Sequence, residues 1–260
     1  MSAEVLTTIS PTTNKGILTR TGATPDDLRK IVDVSAERFK KWSKTPFSQR
    51  QAIVKKALEI LLSKKDEYAK ELTEQMGRPI AYTGVEVTTA AKRGDYLLKI
   101  AESALEDTPG EAEQGFKRYI KKVPIGPVLI LFAWNVRHPP PPPPLLLPSL
   151  SPETQLTHHQ QYPYLILINS LIPALLAGNT VILKPSPQTP TIVENMHSIF
   201  ASAGLPEGVI QYFHSGTPAT IDTIVRHSKI ALIAFTGSVA GGLEVQKAAS
   251  GRVVPVGLEL

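Results

Sequence analysis

Residues 172–186 read IPALLAGNTVILKPS, and this stretch decides the class of fold. It begins inside a longer apolar run at residues 162–177, which predicts a buried helix that ends at Gly178. The apolar residues at 180–183 then predict a short strand, and continuous apolarity is typical of a strand that is buried on both faces. A buried helix followed by a buried strand indicates a layered α/β domain.

The same alternation of helix and strand continues outward on both sides of this stretch. Helices are predicted at 190–203, 218–226 and 238–249, and strands at 127–132, 209–213, 230–235 and 253–260. Strands that alternate with helices pair in parallel, because each crossover helix returns the chain to the same end of the sheet. The sequence therefore predicts an α/β, doubly wound parallel sheet with helices on both faces.

The first hundred residues have a different, mainly helical pattern. Apolar residues at helical spacing predict helices at 25–42, from 47 onward, at 66–76 with Gly77 as its stop, and at 85–105. A short strand is predicted at 119–123, where apolar and polar residues alternate. We therefore expect an N-terminal helical part over 26–107 and an α/β part over 115–260.

Composition narrows the classes of function. The 260 residues carry a net charge of +5 with dispersed lysines and arginines, so we expect no nucleic-acid partner. The absence of cysteine excludes disulfides, thiolate metal sites and a cysteine nucleophile within these residues, and the six histidines lack ligand spacing. Residues 1–11 do not resemble a secretory signal, and the apolar run at 162–177 is short for a membrane span. We expect a soluble cytoplasmic protein without a metal or a membrane anchor.

Residues 136–161 interrupt the α/β alternation with six consecutive prolines and a polar end. Proline lacks an N–H group and fixes φ, so this segment is predicted to be a disordered, Pro-rich insert. The codons of Val136 and Gln161 allow an intron donor and acceptor, and we interpret the segment as an intron retained in frame. The alternative is a ligand for the aromatic groove of an adaptor domain.

When the insert is read through, several motifs stand in a recognisable order. Ala133-Trp134-Asn135 joins Tyr162-Pro163, and the sequences IPALLAGN, ILKPS, FTGS and GLEL follow between residues 172 and 260. These motifs resemble those of the aldehyde dehydrogenase family, with Ala133 in place of the proline of its Pro-Trp-Asn-Tyr-Pro signature. The resemblance covers most of 115–260 and implies NAD(P)-dependent oxidation of an aldehyde to a carboxylic acid on a Rossmann-like coenzyme-binding domain.

Two residues match catalytic positions of that family. Asn135 matches the side-chain amide that stabilises the oxyanion, because a fixed N–H donor favours negative charge on the carbonyl oxygen. Glu259 matches the general base that activates the deacylating water. Read without the resemblance, Asn135 is a helix-capping residue and Glu259 an exposed carboxylate.

The resemblance also implies contacts with NAD or NADP. Lys184 ends a strand, where an ammonium group reaches ribose hydroxyls, and the turn before the predicted helix at 238–249 presents backbone N–H groups to phosphate. The family often has an acidic residue three positions after this lysine when it prefers NAD, and here that position is Pro187, so the choice of coenzyme stays open. The matching residues are Trp134, Lys184, Ser186, Gly237 and Ser238.

Residues 1–260 are accordingly interpreted as a partial coenzyme-binding domain, with the catalytic cysteine domain absent and expected downstream of residue 260. By resemblance, the full-length enzyme is a homo-oligomer that acts on an aldehyde, and this chain alone is expected to be inactive. Two alternatives remain open. The chain could be a non-catalytic nucleotide-binding or Pro-rich interaction module, or part of an acyl phosphate or acyl thioester reductase on the same fold.

Overall fold

The computed structural model describes residues 4–133 and 162–260. Trp134, Asn135 and the insert predicted at 136–161 lie outside the described residues. In chain order the elements are β1 (Val5–Ile9), β2 (Gly16–Thr21), α1 (Pro25–Trp42), α2 (Phe47–Ser63), α3 (Lys65–Met76), α4 (Ile80–Leu105), β3 (Thr108–Pro109), β4 (Tyr119–Ile120), β5 (Val128–Phe132), α5 (Pro163–Leu176), β6 (Val181–Lys184), α6 (Thr191–Ser202), β7 (Ile210–Tyr212), α7 (Pro218–Val225), β8 (Leu232–Thr236), α8 (Val239–Ala249) and β9 (Val256–Glu259).

The main sheet has five parallel strands in the order β7-β6-β5-β8-β9. Its first strand in sequence, β5, lies at the centre, with β6 on one side and β8 on the other. The chain therefore winds outward in one direction and then in the other, with the reversal between β5 and β8. The predicted doubly wound parallel sheet is confirmed, and ligands of such sheets bind at the carboxyl ends of the strands near this reversal.

Alternate side chains of the central strand enter two separate cores. Val128, Ile130 and Phe132 pack on one face with α5, α6 and the helices α2–α4. Leu129 and Leu131 pack on the other face with α1, α7 and α8. All five residues are at most 4% exposed, so burial on both faces explains the continuous apolar run of this strand.

The predicted helical part is confirmed, and its ends have clear causes. The side chains and backbones of Thr24 and Asp27 form a capping box at the start of α1, where Pro25 takes the first helical position. Gly77 ends α3 with a φ of +70°, a backbone conformation that residues with a Cβ atom rarely adopt. Helix α4 begins at Ile80, earlier than predicted, directly after Pro79.

Two regions differ from the sequence-based expectation. An antiparallel hairpin of β1 and β2 precedes the helices, and the sequence did not predict it. The strand predicted at 119–123 contains only Tyr119–Ile120, which pair with Thr108–Pro109 in an exposed two-residue ladder. Pro124 follows this segment and has no N–H to offer a neighbouring strand.

Across residues 4–133 and 162–260, no helix combines the length and the apolarity that a membrane crossing requires. The same residues contain no group of three histidine or carboxylate side chains that could hold a metal ion.

Candidate functional site

The carboxyl ends of the parallel strands meet at one edge of the sheet. Lys184 ends β6, Thr236 ends β8 and Glu259 ends β9, and Ala133 directly follows β5. Two backbone hydrogen bonds join the ends of β5, β8 and β9. Ala133 N–H donates to Thr236 O at 2.9 Å, and Gly237 N–H donates to Glu259 O at 3.0 Å. The structure therefore places three sequence-predicted site residues, Lys184, Gly237 and Glu259, at a single edge.

A groove of about 710 Å³ opens at this edge between α7 and α8. Lys184 from β6 and Gly216 from the loop after β7 line it on the strand side. Its walls combine apolar and polar side chains, namely Pro218, Ile221, Phe235 and Val245 with Thr217, Asp222 and Glu244. A mixed groove of this size, beside a cationic side chain, has the character of a site for an aromatic ligand that also carries polar groups.

Lys184 is the cation of this groove. Burial lowers the pKa of its ammonium group to about 8, and the negative charge of Glu4 opposes that shift. The side chain is therefore still mostly protonated at neutral pH. A partly desolvated ammonium at a strand end is suited to donate hydrogen bonds to hydroxyl or phosphate oxygens of a ligand.

The turn from β8 into α8 has a compact geometry. Ser238 is the N-cap of α8, and its Oγ accepts a hydrogen bond from Gly241 N–H at 3.1 Å. A Cβ at either Gly237 or Gly241 would come within 2.8 Å of Cζ of Phe235, so both positions exclude larger residues unless the ring moves. The positive end of the α8 dipole thus faces the carboxyl edge of the sheet.

The predicted coenzyme residues occupy different places around this turn. Lys184 lines the groove, whereas Ser186, Gly237 and Ser238 are not among the described residues that line it. Ser186 lies in the loop after β6, where its Oγ accepts the Gln188 N–H at 3.2 Å. Ser238 has the capping role that the sequence offered as its alternative, and capping leaves its hydroxyl proton available to a ligand.

Glu259 contacts the neighbouring strand at the carboxyl edge of the sheet. Its carboxylate accepts a hydrogen bond from Thr236 Oγ1 at 3.3 Å across the β8–β9 pair, and its side chain is exposed. Asn135 and Trp134 lie outside the described residues, so the geometry between the two expected catalytic residues remains a prediction.

The N-terminal hairpin contacts the loop that follows Lys184, and sequence reasoning missed this contact. Thr8 Oγ1 donates to Pro187 O at 2.8 Å, and Gln188 Nε2 donates to Ile9 O at 2.9 Å. Glu4, just before β1, accepts a hydrogen bond from Gly216 N–H. These partners are about 180 to 210 positions apart in the chain, and no local pattern signals such pairs.

Glu86 is a second residue that the sequence did not single out. Its side chain is fully buried on α4, where Oε1 accepts the Tyr164 N–H at 2.9 Å and Oε2 lies 3.4 Å from Arg78. Burial raises its pKa to about 8, although the hydrogen bond and Arg78 act in the opposite direction. Since Tyr164 is in the first turn of α5, Glu86 fixes the start of the helix that follows residues 134–161.

A doubly wound parallel sheet with a groove at its carboxyl edge defines a nucleotide-binding class of fold. The family model described as "Aldehyde dehydrogenase family" matches residues 1–138 and 161–260. The chain belongs to the aldehyde dehydrogenase family. The match leaves out residues 139–160, which lie wholly within the insert inferred from the sequence at 136–161.

Relatives and solved structures agree with this assignment. The chain is 29% identical to D-glyceraldehyde dehydrogenase (NADP(+)) of Picrophilus torridus, over 100% of this chain and 47% of the relative. It is 28% identical to 2,5-dioxopentanoate dehydrogenase of Saccharolobus solfataricus, over 91% of this chain and 45% of the relative. An NAD-dependent benzaldehyde dehydrogenase structure from Corynebacterium glutamicum superposes with a TM-score of 0.84 at 25% identity, covering 100% of this chain and 51% of the other. The chain thus spans about half the length of the curated relatives it matches.

Proposed function

We propose that this chain binds NAD or NADP in the groove between α7 and α8, as the coenzyme-binding part of an enzyme that oxidises an aldehyde to a carboxylic acid. The observation that carries the proposal is the Lys184 ammonium in a groove at the carboxyl edge of a doubly wound sheet. Family membership supplies the reaction class. The relatives support both coenzymes, since one is named for NADP and one solved structure for NAD.

The groove and the turn from β8 into α8 together offer a place for each part of a dinucleotide. Lys184 donates hydrogen bonds to ribose hydroxyls, and the apolar walls at Ile221 and Val245 accommodate the adenine ring. The turn of Gly237 and Ser238 at the start of α8 receives the pyrophosphate, because the helix dipole and the Ser238 hydroxyl favour an anion there. Trp134 and Ser186 complete the proposed coenzyme contacts.

In the whole protein, the remaining residues act on the substrate. Asn135 stabilises negative charge on the aldehyde oxygen by donating its amide N–H, and Glu259 accepts a proton from the attacking water. The bound coenzyme supplies the oxidising power of the reaction. The family resemblance assigns covalent catalysis to a cysteine, and the 260 residues contain none, so we propose that the chain binds coenzyme without turning over aldehyde.

Isothermal titration of the 260-residue chain with NAD⁺ and with NADP⁺ tests the proposal. The Lys184→Met variant should bind whichever coenzyme the wild type prefers about tenfold more weakly, because it loses a charge-assisted hydrogen bond. Lys184→Arg is the matched control that keeps a cation at the strand end. No NADH or NADPH should form when an aldehyde is added to any of these samples.

Two results would contradict the proposal. One is a wild-type chain that binds neither coenzyme although its circular dichroism and thermal transition show a folded protein. The other is equal coenzyme affinity in the wild type and Lys184→Met, which would place the binding site elsewhere.

A further inference from the structure

Glu4 places a carboxylate next to Gly216, which lines the strand side of the groove. Its Oε2 accepts a hydrogen bond from Gly216 N–H at 3.1 Å, and Gly216 lines the groove. Its backbone oxygen accepts the Gly22 N–H at 2.7 Å, so the short segment before β1 is held at both its main chain and its side chain. A Cβ on Gly216 would lie 2.8 Å from Glu4 Oε1, which shows how closely the carboxylate approaches the loop.

The charge of Glu4 also acts on Lys184, the second residue on this side of the groove. The loop that follows Lys184 reads Pro-Ser-Pro-Gln and contains no acidic residue of its own. A carboxylate from the N-terminal segment therefore supplies a negative charge that acts on the ammonium group. The Lys184 ammonium group and the Glu4 carboxylate thus both bear on the strand side of the groove, where we propose that the ribose binds.

The other groove carboxylates are arranged differently. Asp222 lies on α7, where its Oδ2 accepts a hydrogen bond from Arg226 Nε at 2.8 Å. Glu244 lies on α8, in the opposite wall, and its side chain is exposed. Glu4 differs from both because it contacts the strand-side loop at Gly216 and its charge acts on Lys184.

We propose that Glu4 selects between the two coenzymes by favouring an adenosine ribose with free hydroxyls over one that carries a 2′-phosphate. A carboxylate accepts hydrogen bonds from vicinal hydroxyls, whereas a phosphate dianion at the same place is repelled by it. The inference rests on the proposed function, since it presumes a dinucleotide in this groove. The inference predicts a preference for NAD over NADP. The relatives do not decide this preference, because one is named for NADP(+) and one solved structure for NAD.

A purely structural role is the alternative, in which Glu4 only anchors Gly216. Glu4→Gln separates the two roles, because the glutamine oxygen can still accept the Gly216 N–H while the negative charge is removed. Glu207→Gln is the matched control, with the same change of charge in the exposed turn before β7, at the amino end of the sheet.

The experiment measures the dissociation constants of NAD⁺ and NADP⁺ by isothermal titration for the wild type, Glu4→Gln and Glu207→Gln, with Tm as a check of folding. We expect the wild type to bind NAD⁺ more tightly, and Glu4→Gln to shift the ratio of the two constants toward NADP⁺ by on the order of tenfold at unchanged Tm. Glu207→Gln should keep the wild-type ratio.

The outcomes distinguish this inference from the proposal on which it rests. If the wild type and Glu4→Gln both bind coenzyme with ratios that agree within about twofold, the selecting role of Glu4 is wrong and the binding site stands. If the folded wild type binds neither coenzyme, the proposed function and the inference are both wrong. A ratio that shifts equally in Glu207→Gln would assign the effect to net charge and would overturn the role of Glu4.

Discussion

At the scale of single residues, Glu194 on α6 is one anchor of the N-terminal hairpin. Arg20 on β2 donates to it twice, from Nε at 2.6 Å and from Nη2 at 2.8 Å, and His214 Nε2 lies 2.9 Å from Oε1. The Arg20 and Glu194 side chains are 29% and 24% exposed, so this ion pair is better shielded from water than a surface pair. The pair helps to hold the hairpin beside the loop that follows Lys184.

The ion pair predicts an acid-dependent loss of stability. Burial alone would raise the pKa of Glu194, but the hydrogen bonds and charges of Arg20 and His214 outweigh it and lower the pKa to about 2. A carboxyl group with a lowered pKa stabilises the fold above its unfolded pKa, and this contribution disappears as the pH falls from about 4.5 to about 2. Glu194→Gln should therefore reduce the free energy of unfolding by about 2 kcal/mol at pH 7, and by progressively less below pH 4.5.

Urea denaturation of the wild type and Glu194→Gln between pH 2 and pH 7 measures this difference. Glu207→Gln serves as the control, since its exposed carboxylate should leave the free energy of unfolding nearly unchanged at every pH. A difference between wild type and Glu194→Gln that does not vary with pH would show that packing, and not the ionised carboxylate, is responsible.

At the scale of secondary-structure elements, α4 packs closely against α2 through a glycine. A Cβ added at Gly94 would lie 2.5 Å from Cδ2 of Leu58, which is only 2% exposed. Gly84 lies on the same helix, but a Cβ there would meet its nearest atoms at ordinary distances of 3.8 Å and more. Replacing glycine by alanine should therefore change the stability of the protein in opposite directions at these two positions of one helix.

Gly94→Ala should destabilise the protein by about 1–3 kcal/mol, because the forced movement of Leu58 outweighs the gain in helix propensity. Gly84→Ala should stabilise it by about 0.5–1 kcal/mol, since it makes that gain without a clash. Thermal unfolding followed by circular dichroism compares the two variants with the wild type. Equal shifts of Tm in the same direction would mean that the helices are not packed as closely as these contacts indicate.

The sequence predicts some elements better than others, because only some of them are marked by a local sequence pattern. Strands β5 and β6 and helix α5 are predicted because apolar runs between glycine and proline boundaries are local signals. The hairpin of β1 and β2 gives no such signal, because its strands are largely half-buried or exposed and its turn has Asn14, not glycine, at a positive φ of 54°.

The candidate site divides in the same way. Lys184 and Ser238 stand at a strand end and a helix start, so local patterns together with the family motifs identify them. Glu4 reaches Gly216 across 212 positions in the chain, and only the folded structure shows that contact.

At the scale of the whole molecule, the described residues before and after 134–161 share one hydrophobic core. Strand β5 ends at Phe132 and α5 begins at Pro163, and both belong to the same hydrophobic core. The family match covers the chain on both sides of residues 139–160. The described residues on both sides of this segment thus fall within the family match, whereas residues 139–160 do not.

Deleting residues 136–161 should stabilise the protein. The deletion shortens the connection from Ala133 to Tyr162 from about 28 residues to about 2, and the entropic cost of closing a loop rises with the logarithm of its length. The expected gain in the free energy of unfolding is about 2 kcal/mol, measured by urea denaturation.

A second variant that replaces 136–161 with a Gly/Ser segment of equal length is the control, because it keeps the length and should match the wild type. If the deletion destabilises the protein while the Gly/Ser variant does not, the shortened connection is too tight for β5 and α5. If both variants are less stable than the wild type, residues 136–161 contribute specific contacts and their interpretation as an insert without a structural role is wrong.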